Sequence, residues 1–142
     1  MATSAPESFT IRILTPMASV LNTEAVYLRA PATRGLLGVM AHHAPMVSHL
    51  AVGAAVVTEP SGEQRHFAVV DGILRVKHDE VVLLVRAAEE AEEIDVERAQ
   101  MALDRATERL RAAAKDPVDL ARAEMALARA ANRLNVAVRA GL

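Results

Sequence analysis

The chain has 142 residues, no cysteine and a formal net charge of -2. That length gives room for one ordinary domain or two small ones, and the missing thiols exclude disulfides, thiolate metal sites and cysteine nucleophiles. Phe9, Tyr27 and Phe67, all in the first half, are the only aromatic side chains, too few for the stacking platforms that hold single-stranded nucleic acid, so nucleic acid is not expected as a partner.

No apolar run approaches the length of a bilayer span. The opening residues, MATSAPESF, lack the basic-then-apolar order of a secretory signal. The expectation is a soluble, cytosolic chain that meets a membrane only through a partner. Charge is unevenly spread. Residues 1–86 carry 7 basic and 7 acidic side chains, six acids crowd into 89–97, and from residue 98 onward 9 basic face 5 acidic. A basic tail behind an acidic stretch points to an acidic or anionic partner for the second half.

In chain order, residues 8–86 read as β structure. FTIRILTP, AVYLRAP, AAVVTEP, RHFAVV, ILRVKH and EVVLLVRA are short runs of β-branched and alternating side chains. EPSGEQ and KHDE read as hairpin turns, and Asp71-Gly72 as a turn between RHFAVV and ILRVKH. GLLGVMAHHAP reads as a loop, with Gly35 and Gly38 allowing tight backbone and Pro45 stopping a strand. His42, His43 and His49 invite a metal reading, but neighbouring histidines do not converge on one ion and no acid or cysteine lies close in sequence. Packing or interface histidines are expected, and no metal.

Near residue 95 the period changes. Leu103, Ala106, Leu110 and Ala113, then Leu120, Ala123, Leu127, Ala130, Leu134 and Val138, recur at three-four spacing. Between them Asp116 suits an N-cap, Pro117 the first helical position and Asp119 the first turn. The expected fold class is α+β: an antiparallel β sandwich or barrel over residues 1–88, then a two-helix antiparallel hairpin over 89–142. Alanine faces let helices approach closely but bury little, at about 0.8 kcal/mol per methylene-sized group. Such a hairpin is able to open.

Both helical segments carry arginine at i, i+7 and i+11: Arg98, Arg105 and Arg109, then Arg122, Arg129 and Arg133. Those steps return a helix to nearly the same face. One reading is a pair of guanidinium stripes facing an anion. The plainer reading makes Asp95 an N-cap with Ile94 stapled before it. It leaves the arginines as a solvated face paired to neighbours such as Asp104 and Glu108.

In this order the residues resemble the epsilon subunit family of F-type ATP synthases. The likeness rests on LTP, RGLLGVMAHHAPMVSHLAVG, VDGILRVKHDEVVLLVRAAEEAEEIDVERA and ALARAANRLNVA, and covers essentially the whole chain. The resemblance implies a non-catalytic subunit of a proton- or sodium-translocating synthase, peripheral on the cytoplasmic face of the inner membrane. It implies a sandwich that binds the gamma subunit and the c-ring as part of the rotor. It also implies a hairpin that lies folded on the sandwich or extends into the catalytic alpha/beta hexamer, where it meets an acidic segment of beta and blocks hydrolysis. In members that bind ATP, the pattern Ile/Leu-Asp-x-x-Arg-Ala with further arginines forms the site. Here it maps onto Ile94, Asp95, Arg98 and Ala99, with Arg105, Arg129, Arg133 and the acidic Glu89. No cofactor is implied as required, and ATP enters as a regulatory ligand.

The family loop against the c-ring maps onto Leu36, Gly38, His42 and His43. The chain departs from the pattern there: a Pro-Gly pair is Ala41-His42, and a position acidic in some members is Leu36, so an apolar contact is expected. Two other classes stay in view. A free-standing nucleotide sensor would purify without a gamma subunit. An enzyme built on the sandwich would turn over alone, yet no Ser-His-Asp order, paired carboxylates or Gly-rich phosphate loop appears, and no catalytic residue is expected.

Overall fold

The structure, a computed structural model, describes residues 6–113 and 116–141. Eight strands come first: β1 Phe9–Leu14, β2 Ser19–Ala25, β3 Tyr27–Ala32, β4 Gly35–Val39, β5 Met46–Leu50, β6 Gly53–Thr58, β7 Gln64–Lys77 and β8 Glu80–Glu90. A single 3-10 turn, Ala91–Glu93, leads to α1 (Val96–Ala112) and α2 (Pro117–Arg139). The chain divides into two compact units, one ending at Glu90 and the other beginning at Ala91.

In the first unit the strands follow the order β2-β1-β8-β7-β5-β3-β4, with β6 pairing β3 and β7. β5 and β6 act as one kinked strand: β5 pairs with the Gly72–Val76 part of β7 and β6 with its Gln64–Val69 part. β1 and β8 run parallel, whereas the other described pairs are antiparallel. These are the first and last strands of the unit, so no tight turn dictates their direction. Alternation closes the core between the layers. Phe9, Ile11 and Ile13 of β1 point in with Val81, Leu83 and Val85 of β8, and Leu28, Ala30, Val39, Val57 and Phe67 are among the residues that join them.

RHFAVV and ILRVKH, expected as two strands, are one. Asp71-Gly72 is not a turn but lies inside β7, which pairs with β8 on both sides of it. What changes there is the face. Phe67 and Val69 point into the core before Gly72, and Leu74 and Val76 after it; on β8, Val81, Leu83 and Val85 point in, then Ala88 packs against the core. The partners stay in register through the change, with Val70 opposite Ala87 and Gly72 opposite Val85. The two-stranded ribbon therefore turns over as a unit, as a strand pair does at the corner of a sandwich. The glycine is needed for close approach: a Cβ on Gly72 would collide with the Leu84 carbonyl oxygen and stand 2.8 Å from the Val85 Cα.

Three strands lay outside the expected runs. SVLNTEA and MVSHL mix polar side chains into the alternation, and GLLGV, read as part of a loop, is β4. Gly35, at φ +134, makes the tight reversal from β3 into β4. The KHDE turn forms as expected, with His78 and Asp79 both left-handed at φ 50 and 57, the backbone of a mirror-image hairpin turn.

The second unit follows its caps. Asp95 accepts from the Arg98 N–H at 3.0 Å, and Asp116 accepts from the Val118 N–H at 2.9 Å ahead of Pro117. The helices pack on each other through small side chains: Ala99 and Ala106 from α1, and Ala123, Ala130, Val136 and Ala137 from α2. Val138, expected on the apolar stripe, is 71% exposed. Val136 and Ala137 take the buried positions at that end and turn the next residue outward.

Candidate functional site

The arginines stand in a fixed relation to the alanine seam. Arg98, Arg105, Arg122 and Arg129 each immediately precede a buried alanine: Ala99, Ala106, Ala123 and Ala130. One residue back is about 100° around a helix, so each guanidinium leaves from the rim of the seam. In an antiparallel pair the position before each seam residue falls on the same side of both helices. The two stripes therefore share one face of the hairpin. Near its turn, Arg109 and Arg122 line a common cleft of about 350 Å³ with Asp119, Ala112, Ala113 and Ala123.

The neighbours expected to neutralise these cations are engaged elsewhere. Glu108 pairs with Arg111 at 3.5 Å, and Asp104 accepts from the Gln100 amide at 3.1 Å. Among the described residues Arg98, Arg105, Arg109, Arg122 and Arg129 make no ion pair. The face is a row of guanidinium groups open to an anion, each a planar fork suited to phosphate or carboxylate oxygens.

The remaining residues of the expected nucleotide set fall in different places. Asp95 caps α1, as the plainer reading required, and Ile94 just ahead of it is buried. Ala99 is fully buried in the seam. Arg133 is half-buried on α2. Glu89 lies in β8 of the sandwich unit, opposite Ala68.

On the sandwich two surfaces stand out. Cross-strand register aligns His49, Ile73, Leu84 and Leu14 in one row across β5, β7, β8 and β1. Of its apolar members, Ile73 and Leu84 are 39% and 50% exposed and Leu14 is half-buried. A cleft of about 360 Å³ opens beside Leu14, Pro16 and Leu84, and one of about 560 Å³ beside His49, Gly72 and Ile73; Arg86 lines both. The second surface is β4 and the turn after it. Leu36 and Met40 are 68% and 63% exposed. Gly38 passes beneath Tyr27, where a Cβ would stand 2.6 Å from the phenol oxygen. His43 turns Nδ1 to the Ala44 carbonyl at 2.8 Å, and His42 sits on left-handed backbone at φ 64. Among the described residues no histidine, aspartate and glutamate cluster suits a metal ion.

A clamp at the end of the sandwich gave no signal in the sequence. Arg65 donates through Nε and Nη2 to both Glu90 carboxylate oxygens, at 2.8 and 2.9 Å, and lies 3.6 Å from Glu59. Its guanidinium carbon stands 5.8 Å from the Phe67 ring centre. The Glu90 bond raises the arginine pKa further, against the opposing effect of burial. The residues are 25 apart in sequence, so only the β7–β8 register brings them together.

Family comparison agrees with this architecture. The ATP synthase delta/epsilon chain β-sandwich domain matches residues 8–91, and the long α-helix domain of the same chain matches residues 92–137. The ATP synthase epsilon chain of Macrococcus caseolyticus is 44% identical over 101 residues, 70% of this chain and 74% of that one. That of Carboxydothermus hydrogenoformans is 42% identical over 100 residues, with the same coverage. Among solved structures, a chain of the Euglena gracilis mitochondrial ATP synthase OSCP/F1/c-ring assembly superposes with a TM-score of 0.80 at 21% identity, over 98% of this chain and 84% of that one. A chain of the Tetrahymena thermophila central stalk and c-ring gives 0.59 at 13% identity. With both domain types in order and relatives of this identity, the chain belongs to the epsilon-subunit family of F-type ATP synthases, non-catalytic components of the central stalk.

Proposed function

We propose that the hairpin is a brake on ATP hydrolysis, carried by a sandwich that docks on the rotor at the cytoplasmic face of the membrane. The observation that carries this reading is the construction of the hairpin: two guanidinium rows on one face of a seam made mostly of alanine. With the helices paired, like charges are held near one another. Opened, the same charges reach an acidic partner, the acidic segment of the catalytic beta subunits in this family. A thin seam keeps the two states close in free energy, as a switch requires.

A bound ATP would favour the paired state. Its phosphates lie on Arg98, Arg105, Arg129 and Arg133, offsetting the repulsion between the rows, and Asp95 stands at the start of α1 for the purine, while Ile94 beside it is buried. Ala99 sets the close helix spacing rather than touching the base, since its surface belongs to the seam. Isothermal titration of the purified chain with ATP is expected to give heat that is lost in Arg98→Ala and in Arg133→Ala. Heat unchanged in both variants, or no heat at millimolar ATP, rules the site out.

For the sandwich, the apolar row of Ile73, Leu84 and Leu14 is the docking face for gamma, and the β4 edge with its turn faces the c-ring. The deciding experiment compares ATP hydrolysis by the assembled synthase carrying the whole chain with one carrying a chain that ends at Glu90. Hydrolysis is expected to rise several-fold while the shortened chain stays in the complex. An unchanged rate removes the brake, and loss of the subunit from the complex removes the division of labour between the units.

A further inference from the structure

His42 has a contact set that neither the rotor reading nor the brake uses. Its φ of 64 lies in the left-handed region, uncommon for a residue with a Cβ. Its backbone N–H donates to Asp79 Oδ1 at 2.6 Å. Its ring lies between two carboxylates, with Nε2 2.7 Å from Glu7 Oε2 and Nδ1 3.2 Å from Asp79 Oδ2. Three separate stretches meet there: the residues ahead of β1, the β4–β5 turn and the β7–β8 turn. Asp79 is itself tied back, its carbonyl accepting from the Thr10 N–H at 2.9 Å.

Ionised carboxylates only accept hydrogen bonds, so each ring nitrogen needs a proton to bond its partner. Neutral imidazole carries one N–H and imidazolium carries two. The charged ring satisfies Glu7 and Asp79 together, and the neutral ring must release one. Glu7 and Asp79 are the charged groups in contact with it. His43, next along the turn, is bonded to the Ala44 carbonyl, and Lys77, His78 and Glu80 flank Asp79 without an ion pair to His42.

We propose that His42 is a proton-operated clasp: charged, its ring ties the β4–β5 turn to both Glu7 and Asp79, and neutral, it releases one of the two and loosens the turn that carries Met40, while the backbone N–H bond to Asp79 stays. Lower pH favours the charged ring, so the turn tightens as pH falls and loosens as pH rises. The clasp stands on its own contacts. Its use in gripping the c-ring rests on the reading given above for the β4 edge.

The test follows the whole chain by heteronuclear NMR from about pH 5 to about pH 8. The amides of residues 40–44 and of Asp79 are expected to move together with the His42 ring signals. Hydrogen exchange in the turn, corrected for its intrinsic pH dependence, is expected to be about two- to fivefold faster with the ring neutral, the scale of one exposed ion pair. His42→Asn tolerates the left-handed backbone but does not titrate, and should make the turn insensitive to pH. Glu7→Gln leaves the turn untouched and should halve the response or more. Amides that stay still while the ring titrates, or a full response in either variant, overturn the clasp. Binding of the chain to purified c-ring over the same range separates the two ideas: a responsive turn with pH-independent ring binding removes the ring contact and leaves the clasp.

Discussion

Gly72→Ala is expected to lower the stability of the sandwich by about 3 kcal/mol, at the upper end for overpacking a dense interior. For a domain of this size that is a fall in melting temperature of about 12–24 °C. The reason is where the new methyl would go. It meets the Leu84 carbonyl oxygen and the Val85 Cα, and both belong to the strand bonded to β7 on each side of the corner. Relief requires β7 and β8 to separate where their ribbon turns over, which unpairs backbone bonds and loosens Leu74 and Leu83, both fully buried.

Gly38→Ala is the control. Its methyl also meets an atom at short range, the Tyr27 phenol oxygen, but that is the tip of a half-exposed side chain that can swing away. A cost below about 1 kcal/mol is expected there, the range of an ordinary surface change. Thermal unfolding followed by circular dichroism separates the two variants. Equal losses would mean that the corner is soft and that the change of face in β7 and β8 is not fixed by close backbone contact.

That corner also marks where sequence reasoning stopped. Period and caps located both helices, because capping and three-four spacing are local: Asp95, Asp116 and Pro117 act on residues within one turn of themselves. The strands with clean alternation, such as FTIRIL, were equally legible. Gly72 was misread because Asp-Gly is a turn signal wherever the chain is free to turn, and only the ladder to β8 reveals a strand running through it. MVSHL and SVLNTEA were missed because one face of each meets solvent and carries polar side chains. The arginine spacing was legible and its setting was not. That Glu108 and Asp104 are taken by Arg111 and Gln100 depends on rotamers, and the rim position of each guanidinium depends on which alanines form the seam. Arg65 with Glu90, and His42 with Glu7 and Asp79, depend on register between distant strands and turns.

Ala106→Asp is expected to hold the hairpin open and to slow ATP hydrolysis by the assembled synthase, opposite in sign to removing residues 91–142. Ala106 is 2% exposed at the centre of α1. A carboxylate there loses water without a built partner, at a cost of about 2–3 kcal/mol, and the weaker helix preference of aspartate adds about 0.5 kcal/mol. The seam offsets little of this, since the fully buried side chains of α1 are alanines alone. The paired state is lost while the arginine rows, which carry the proposed braking contact, remain intact. Exchange of the hairpin amides should accelerate and the sandwich amides should stay protected, because the sandwich keeps its own core. Added ATP should no longer relieve inhibition, since the state it would favour is out of reach. Ala128→Asp places the same side chain on an exposed position of α2 and is expected to leave hydrolysis within about twofold of the parent, as surface changes do. If Ala106→Asp instead raised hydrolysis as the deletion does, the brake would be the paired hairpin itself, and the open helices would have no part in it.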